Sequence, residues 1–166
     1  AAHNRAVLSD LLSDPRIKTV VLAADAQSYH FSLELIAGME KTVSSLKSGN
    51  KEVVVINQVP DFDFDPPAMT GRALAWGGNA ENLGLSLNSY LASTSSWSQA
   101  IDQIQSQYHI KKVEPVHVLC KGGFCPVYRS GMGVLYFNRN HLSNVGASLL
   151  AARILEDISP PVTYHR

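Results

Sequence analysis

Two short apolar runs with a helical pattern between them constrain this chain more than any other feature. The runs are Ile17-Lys18-Thr19-Val20-Val21-Leu22-Ala23-Ala24 and Glu52-Val53-Val54-Val55-Ile56-Asn57. Short, continuous and β-branched, each reads as a strand buried on both faces of a parallel sheet. Between them Leu33, Ile36, Ala37, Glu40, Val43 and Leu46 recur at largely helical spacing. Ser32 is placed to cap that helix, Glu34 sits in its first turn, and Ser48-Gly49-Asn50 ends it. Strand, helix and strand with short connections form a βαβ unit. The expected fold is therefore α/β, a three-layer sandwich around a mostly parallel sheet. In such sheets functional groups gather beyond the carboxyl ends of the strands. Here those ends are Ala24-Asp25-Ala26-Gln27 and Asn57-Gln58-Val59-Pro60, which makes Asp25 a site candidate.

The rest of the chain is less regular. Residues 4–14 read as a helix stopped by Asp14-Pro15. Residues 59–79 read as a long irregular loop, a kind of segment that is usually functional or mobile. Within it Asp61, Asp63 and Asp65 alternate with Phe62 and Phe64. A calcium loop needs more ligands and a glycine turn, so the expectation is a solvated edge over two buried phenylalanines. Residues 80–93 and 96–108 read as two helices, the second capped by Ser96 with Trp97, Ala100, Ile101, Ile104 and Tyr108 toward the core. Val113 to Leu119 reads as a strand and Val134 to Phe137 as a short strand or edge segment. Leu142 to Ile158 is the last expected helix, closed by Ser159-Pro160-Pro161.

Composition narrows the function. A chain of 166 residues suits one domain. Lys plus Arg and Asp plus Glu number 14 each, and a balanced charge argues against a nucleic-acid partner. No run approaches the roughly 18 apolar residues of a membrane span. Ala1-Ala2-His3-Asn4-Arg5 lacks a signal-peptide pattern, so any targeting or membrane segment is expected outside these residues, if there is one. The two cysteines lie in Cys120-Lys121-Gly122-Gly123-Phe124-Cys125. The glycines permit a tight turn that brings the sulfurs together, and a disulfide implies an oxidising compartment; two separate buried thiols are the other reading. His109 and His117 do not match a zinc spacing, and no metal or other cofactor is expected.

The chemistry concentrates in Leu135-Tyr136-Phe137-Asn138-Arg139-Asn140-His141-Leu142-Ser143-Asn144-Val145-Gly146-Ala147. His141 follows a strand where a helix begins, and a polar side chain three residues earlier, Asn138, is placed to bond back to its imidazole. Ser143 is placed to steady the helix start, and Gly146 with Ala147 to let it pack closely. This pattern resembles the Asp-x-x-His block of SGNH hydrolases, and more closely that of the SGNH domain fused to membrane acyltransferases of the acyltransferase-3 type. Leu119-Cys120, Cys125, Gly131, Leu135-Tyr136, Asn138, His141-Leu142-Ser143 and Gly146-Ala147 follow the family order. The run from Ile17 to Ala24, then Tyr29, and the segment Val53 to Pro60 resemble its strands, so the likeness covers most of the chain.

The resemblance implies His141 as general base with Asn138 in the place of its orienting aspartate. An amide there accepts a hydrogen bond but does not offset the imidazolium, an exchange that in a serine triad lowers the rate on the order of 10⁴-fold. The family's nucleophile lies in a Gly-Asp-Ser block, and these residues contain none; Ala26 stands where members often carry tryptophan. The first reading is a domain that is N-terminally incomplete, its first strand and serine lying upstream. The others are a degenerate domain and an internal nucleophile, for which Ser28 at a strand end is the candidate.

Gly77-Gly78-Asn79 offers a backbone amide and a side-chain amide to an oxyanion, with Gly78 and Asn79 as candidates; an ordinary turn is the alternative. His30, His109, His117 and His165 have no evident partner. Trp76, Trp97, Tyr29 and Tyr90 are candidate sugar-stacking rings, though such rings more often fill a core. The implied function is acyl, expected acetyl, transfer to hydroxyls of a cell-surface carbohydrate on the periplasmic side of the inner membrane, with the acyl donor delivered by a membrane acyltransferase domain. A carbohydrate esterase and a catalytically degenerate domain that binds glycan or scaffolds the membrane partner are the alternatives.

Overall fold

The computed structural model describes residues 2–158; the expected stop at Ser159-Pro160-Pro161 and His165 fall outside them. Along the chain run α1 (Ala2–Ser13), β1 (Thr19–Ala23), α2 (Leu33–Ser48) and β2 (Glu52–Ile56). Next come α3 (Pro66–Ala75), a 3₁₀ turn (Ala80–Asn82), β3 (Gly84–Ser86) and α4 (Leu87–Tyr108). The last elements are β4 (Lys111–Val113), α5 (Val116–Leu119), β5 (Phe124–Pro126), β6 (Tyr128–Arg129), β7 (Gly133–Val134) and α6 (Asn144–Ile158). The chain forms two compact units, one of Ala1–Gln58 with Leu91–Glu114 and one of Val59–Tyr90 with Pro115–Arg166.

The first unit holds a parallel sheet in the order β1-β2-β4, with Thr19 opposite Glu52 and Val54 opposite Lys111. The expected βαβ unit is present, with α2 capped as its sequence foretells: Ser32 Oγ accepts the Leu35 amide at 3.2 Å. Val53, Val54 and Val55 of β2 are buried, as a central parallel strand requires. β1 departs from the expectation of burial on both faces. It lies at the sheet edge, and its Val21 is 42% exposed. The core joins Val20, Val53 and Val55 with Val43 and Leu46 of α2 and Trp97, Ile101 and Ile104 of α4. The buried Lys51 is satisfied by the Asp14 and Ile17 carbonyls, each 2.8 Å from its Nζ. Beyond β2, Asn57 and Gln58 are buried; Gln58 Oε1 accepts the Ala26 amide at 2.9 Å, stitching the two strand ends together.

The second unit is built from shorter pieces, and most sequence expectations that fail do so here. The loop expected over 59–79 contains α3. Its paired prolines look irregular, but Pro66 opens the first turn, where a missing N–H costs nothing, and Asp65 accepts the Ala68 amide at 2.7 Å. Phe62 is buried and Phe64 half-buried, their rings 5.5 Å apart. The helix expected over 80–93 is instead the 3₁₀ turn, β3 and the start of α4, which runs unbroken through Ser96 to Tyr108. Ser96 is thus a helix-interior residue and not a cap. The strand expected over 113–119 ends at Val113, because Pro115 starts a turn in which its carbonyl accepts the Val118 and Leu119 amides. α6 begins at Asn144, two residues later than expected.

Antiparallel pairing of β3 with β5 and of β6 with β7 completes this unit. Cys120 and Cys125 are joined by a disulfide. It closes a loop whose Lys121 and Phe124 exchange backbone hydrogen bonds of 2.8 and 3.1 Å. Gly122 and Gly123 turn the corner at φ of 59° and 82°, a two-residue hairpin turn that L side chains resist.

Candidate active site

The turn that presents His141 is assembled from backbone bonds. Leu135 O accepts the Ser143 amide at 2.9 Å, and the Phe137 amide donates to His141 O at 2.8 Å. Ser143 joins both ends of the turn: its hydroxyl donates to Val134 O at 2.6 Å and accepts the Gly146 amide at 3.3 Å. α6 packs so closely here that a Cβ on Gly146 would stand 2.2 Å from Leu135 O. The expectations that Ser143 steadies the helix start and that Gly146 permits close packing both describe this arrangement.

Inside the turn, Asn138 Oδ1 lies 3.0 Å from His141 Nδ1. The same oxygen accepts the Asn140 amide at 3.2 Å and the His141 amide at 2.9 Å. Two backbone donors aimed at one atom identify it as the amide oxygen, which settles the orientation that an isolated asparagine leaves open. An oxygen of that kind only accepts, so the proton belongs on Nδ1 and Nε2 keeps its lone pair. That is the tautomer a general base needs. The imidazole is exposed, and no described residue bonds its Nε2. Asn138 therefore meets the imidazole with a neutral amide oxygen and not with a carboxylate.

Sequence reasoning missed the clamp on this turn. Arg139 Nε donates to Phe62 O at 2.6 Å, and the Phe62 amide donates back to Arg139 O at 3.1 Å. The Arg139 guanidinium also faces Asp61 at 3.5 Å. Phe62 in turn packs edge-on against Tyr136, with centroids 4.8 Å apart and an interplanar angle of 77°. The signal was present as an arginine between the two polar residues of the motif, but its partner lies far away in sequence.

The other candidates separate. Asp25 lies in the first unit, after β1, where its carboxylate accepts the Ser28 hydroxyl at 2.5 Å and the Ser28 amide at 3.3 Å. Gly78 and Asn79 lie in the second unit at the exit of α3. The Gly78 amide already donates to Ala73 O at 2.8 Å, so it is committed within the turn and not free for an oxyanion. Asn79 Oδ1 accepts the Glu81 amide at 2.9 Å, and no described residue takes its Nδ2. His30, His109 and His117 are exposed. Of the four rings, Trp97 and Tyr90 are buried, whereas Trp76 is 80% and Tyr29 64% exposed. Val134, Phe137, Leu142, Ser143, Asn144 and Val145 line an open cleft of about 520 Å³ beside the His141 turn. Among the described residues no helix is long and apolar enough to cross a membrane.

Residues 1–156 match the family model of the SGNH domain fused to AT3 domains. Among solved structures, the chain is similar to the periplasmic domain of a lipopolysaccharide acetyltransferase from Salmonella ser. Paratyphi A, with a TM-score of 0.72 and 16% identity. The match covers 93% of this chain and 61% of that one, so the chain spans less than two thirds of its neighbour. At that identity the likeness establishes the α/β fold. No curated protein matches the sequence.

Proposed function

The chain belongs to the family of SGNH domains fused to AT3 domains, and from that premise we propose that it transfers an acyl group, acetyl above all, to hydroxyls of a cell-surface carbohydrate. His141 is the general base and Asn138 the residue that orients it. The observation that carries this reading is the 3.0 Å contact between Asn138 Oδ1 and His141 Nδ1, with the oxygen pinned by two backbone amides. In the first half-reaction Nε2 takes the proton of a serine hydroxyl as that oxygen attacks the acyl ester, then gives it to the donor's departing oxygen as the ester bond breaks, leaving an acyl-enzyme and a neutral imidazole. In the second, Nε2 takes the proton of a sugar hydroxyl that attacks the acyl carbonyl and returns it to the serine oxygen as the acyl–serine bond breaks. Asn79 Nδ2 is the side-chain donor for the developing oxyanion. The apolar walls of the cleft lined by Val134, Phe137, Leu142 and Val145 suit the acyl group.

The serine comes from a segment outside these 166 residues, which hold no Gly-Asp-Ser. The outer edge of β1 supports this reading. No described strand pairs with it, its Val21 is 42% exposed, and Leu22, Ala23, Leu35 and Met39 line an open cleft of about 390 Å³. Parallel strands are ordinarily covered and paired, and a further strand there completes the sheet. In this reading the acyl donor arrives through an AT3 membrane domain and this domain lies on the periplasmic side. That neighbouring structures include the periplasmic domain of a lipopolysaccharide acetyltransferase agrees with this placement, as does the disulfide.

The test is the O-acyl content of surface polysaccharide in cells carrying the whole protein, measured by mass spectrometry together with free acyl acid released to water. His141→Ala is expected to lower transfer about 10³-fold or more, and Asn138→Asp, which adds the missing charge, to raise it at least about tenfold. Unchanged O-acylation in His141→Ala overturns the assignment. Free acid without acylated glycan makes the protein an esterase.

A further inference from the structure

We infer that Trp76, held by Arg72, is a stacking platform for a pyranose ring of the acceptor glycan. The inference rests on the carbohydrate reading above and adds the place where the sugar is held. α3 ends at Ala75, and the chain turns out through Trp76 and Gly77, the latter at φ of 69°. The Trp76 and Gly77 amides donate to Arg72 O and Leu74 O, both at 3.2 Å, so the turn carrying the indole is closed by backbone bonds. The Arg72 guanidinium lies over the indole, 5.8 Å from the ring centroid. The ring is nevertheless 80% exposed.

An exposed indole offers a large apolar area that a ligand gains by covering. Here one face is steadied by a cation and the remainder is open, which lowers the entropy lost when a ligand stacks on it. A guanidinium in cation–π contact keeps its N–H groups for hydrogen bonds. A flat ring beside planar donors matches a pyranose, whose C–H face is apolar and whose edge carries hydroxyls. Trp76 and the half-exposed Leu74 together present on the order of a few hundred Å². That falls well short of the roughly 800 Å² each partner contributes to a stable protein interface. The position also fits: α3 lies against β7, the strand that leads into the His141 turn. Asn79, the proposed oxyanion donor, follows Trp76 by three residues and caps the 3₁₀ turn that comes next.

The two tryptophans make the test direct, because Trp97 is fully buried. The protein is titrated with de-O-acylated surface polysaccharide purified from the cells that make it, and tryptophan emission is followed. The expected result is a saturable blue shift of the long-wavelength component. Binding is expected to weaken about tenfold or more in Trp76→Ala and to recover in part in Trp76→Phe, with the buried Trp97 emission unchanged as a check on folding. In the transfer assay Trp76→Ala should raise KM and leave kcat near wild type, as loss of uniform binding does. Equal affinity in Trp76→Ala overturns the platform and leaves the carbohydrate reading intact. So does the absence of a spectral shift while His141-dependent transfer persists. A shift with phospholipid vesicles and none with polysaccharide assigns Trp76 to the membrane surface and also overturns it. If polysaccharide neither binds nor is acylated, the carbohydrate reading falls, and the platform with it.

Discussion

In the first unit, Trp97, Ile101 and Ile104 lie along one face of the 22-residue α4 and join a core with two valines of β2 and two residues of α2. In the second unit the strands are two or three residues long. Its core is smaller, Phe62, Leu119, Val127, Leu135 and Tyr136, and a disulfide, a reciprocal Arg139–Phe62 pair and the Ser143 hydroxyl supply specific links. The first unit rests chiefly on apolar burial, with Lys51 and Gln58 as its specific polar links, and the second leans more on individual bonds that each fix one position. The candidate base and its orienting residue lie on the second kind of framework. A base must be held within a fraction of an ångström of its task, and polar links specify position in a way that apolar burial does not.

The contrast is broken most forcefully by paired substitutions. Ile101→Ala removes a fully buried side chain and is expected to cost about 2–5 kcal/mol in urea unfolding, with transfer by the remaining folded protein close to normal. Gly146→Ala forces Leu135 O away from a Cβ at 2.2 Å. It is expected to cost less, about 1–3 kcal/mol, yet to abolish most transfer, because Leu135 O also holds Ser143 and the His141 turn. If both variants lose stability and activity in proportion, the division between the units is wrong.

A smaller effect belongs to the Cys120–Cys125 bond. It closes a loop with a sequence separation of five, for which the chain-entropy model gives about 2 kcal/mol. Its reduction is expected to lower the melting temperature by that equivalent, and the double Cys→Ser variant should match the reduced wild type. A larger loss would mean that the bond holds more than its own hairpin turn.

The same contrast explains what could be read from the sequence. The βαβ core of the first unit was legible because burial imposes a period, 3.6 in α2 and a continuous run in β2. Asn138 and His141 were legible for a different reason: their contact spans three residues and needs no tertiary knowledge. Arg139 was not, since its partner Phe62 lies 77 residues away. The outcome at α3 turned on Pro66, a residue that reads as a breaker in isolation and is well suited to a first turn once Asp65 caps the helix. α4 was split by its many serines, whose hydroxyls bond back to helix carbonyls, as Ser95 does to Ala92 O and Ser106 to Asp102 O. The Gly78 amide looked free because its acceptor, Ala73 O, belongs to a helix the sequence did not reveal.

The smallest expected effect tests whether the second unit owes its order to specific bonds or to packing alone. Tyr136 is 1% exposed, and its hydroxyl finds no partner among the described residues. Burial pushes its pKa far above the usual tyrosine range, nearby Tyr90 adds to that, and Arg129 offsets only part. Tyr136→Phe keeps the edge-on contact with Phe62 and removes an unsatisfied polar atom, so it is expected to be neutral or up to about 1 kcal/mol stabilising at pH 7. The phenol's folded-state pKa is raised, so above about pH 10 the unfolded chain releases a proton that the folded one keeps. Stability of the wild type therefore falls as pH rises through that range, and the advantage of the variant should widen there in denaturant titrations. A destabilised Tyr136→Phe would mean that the hydroxyl is bonded after all, making Tyr136 one more of the specific links on which this unit depends.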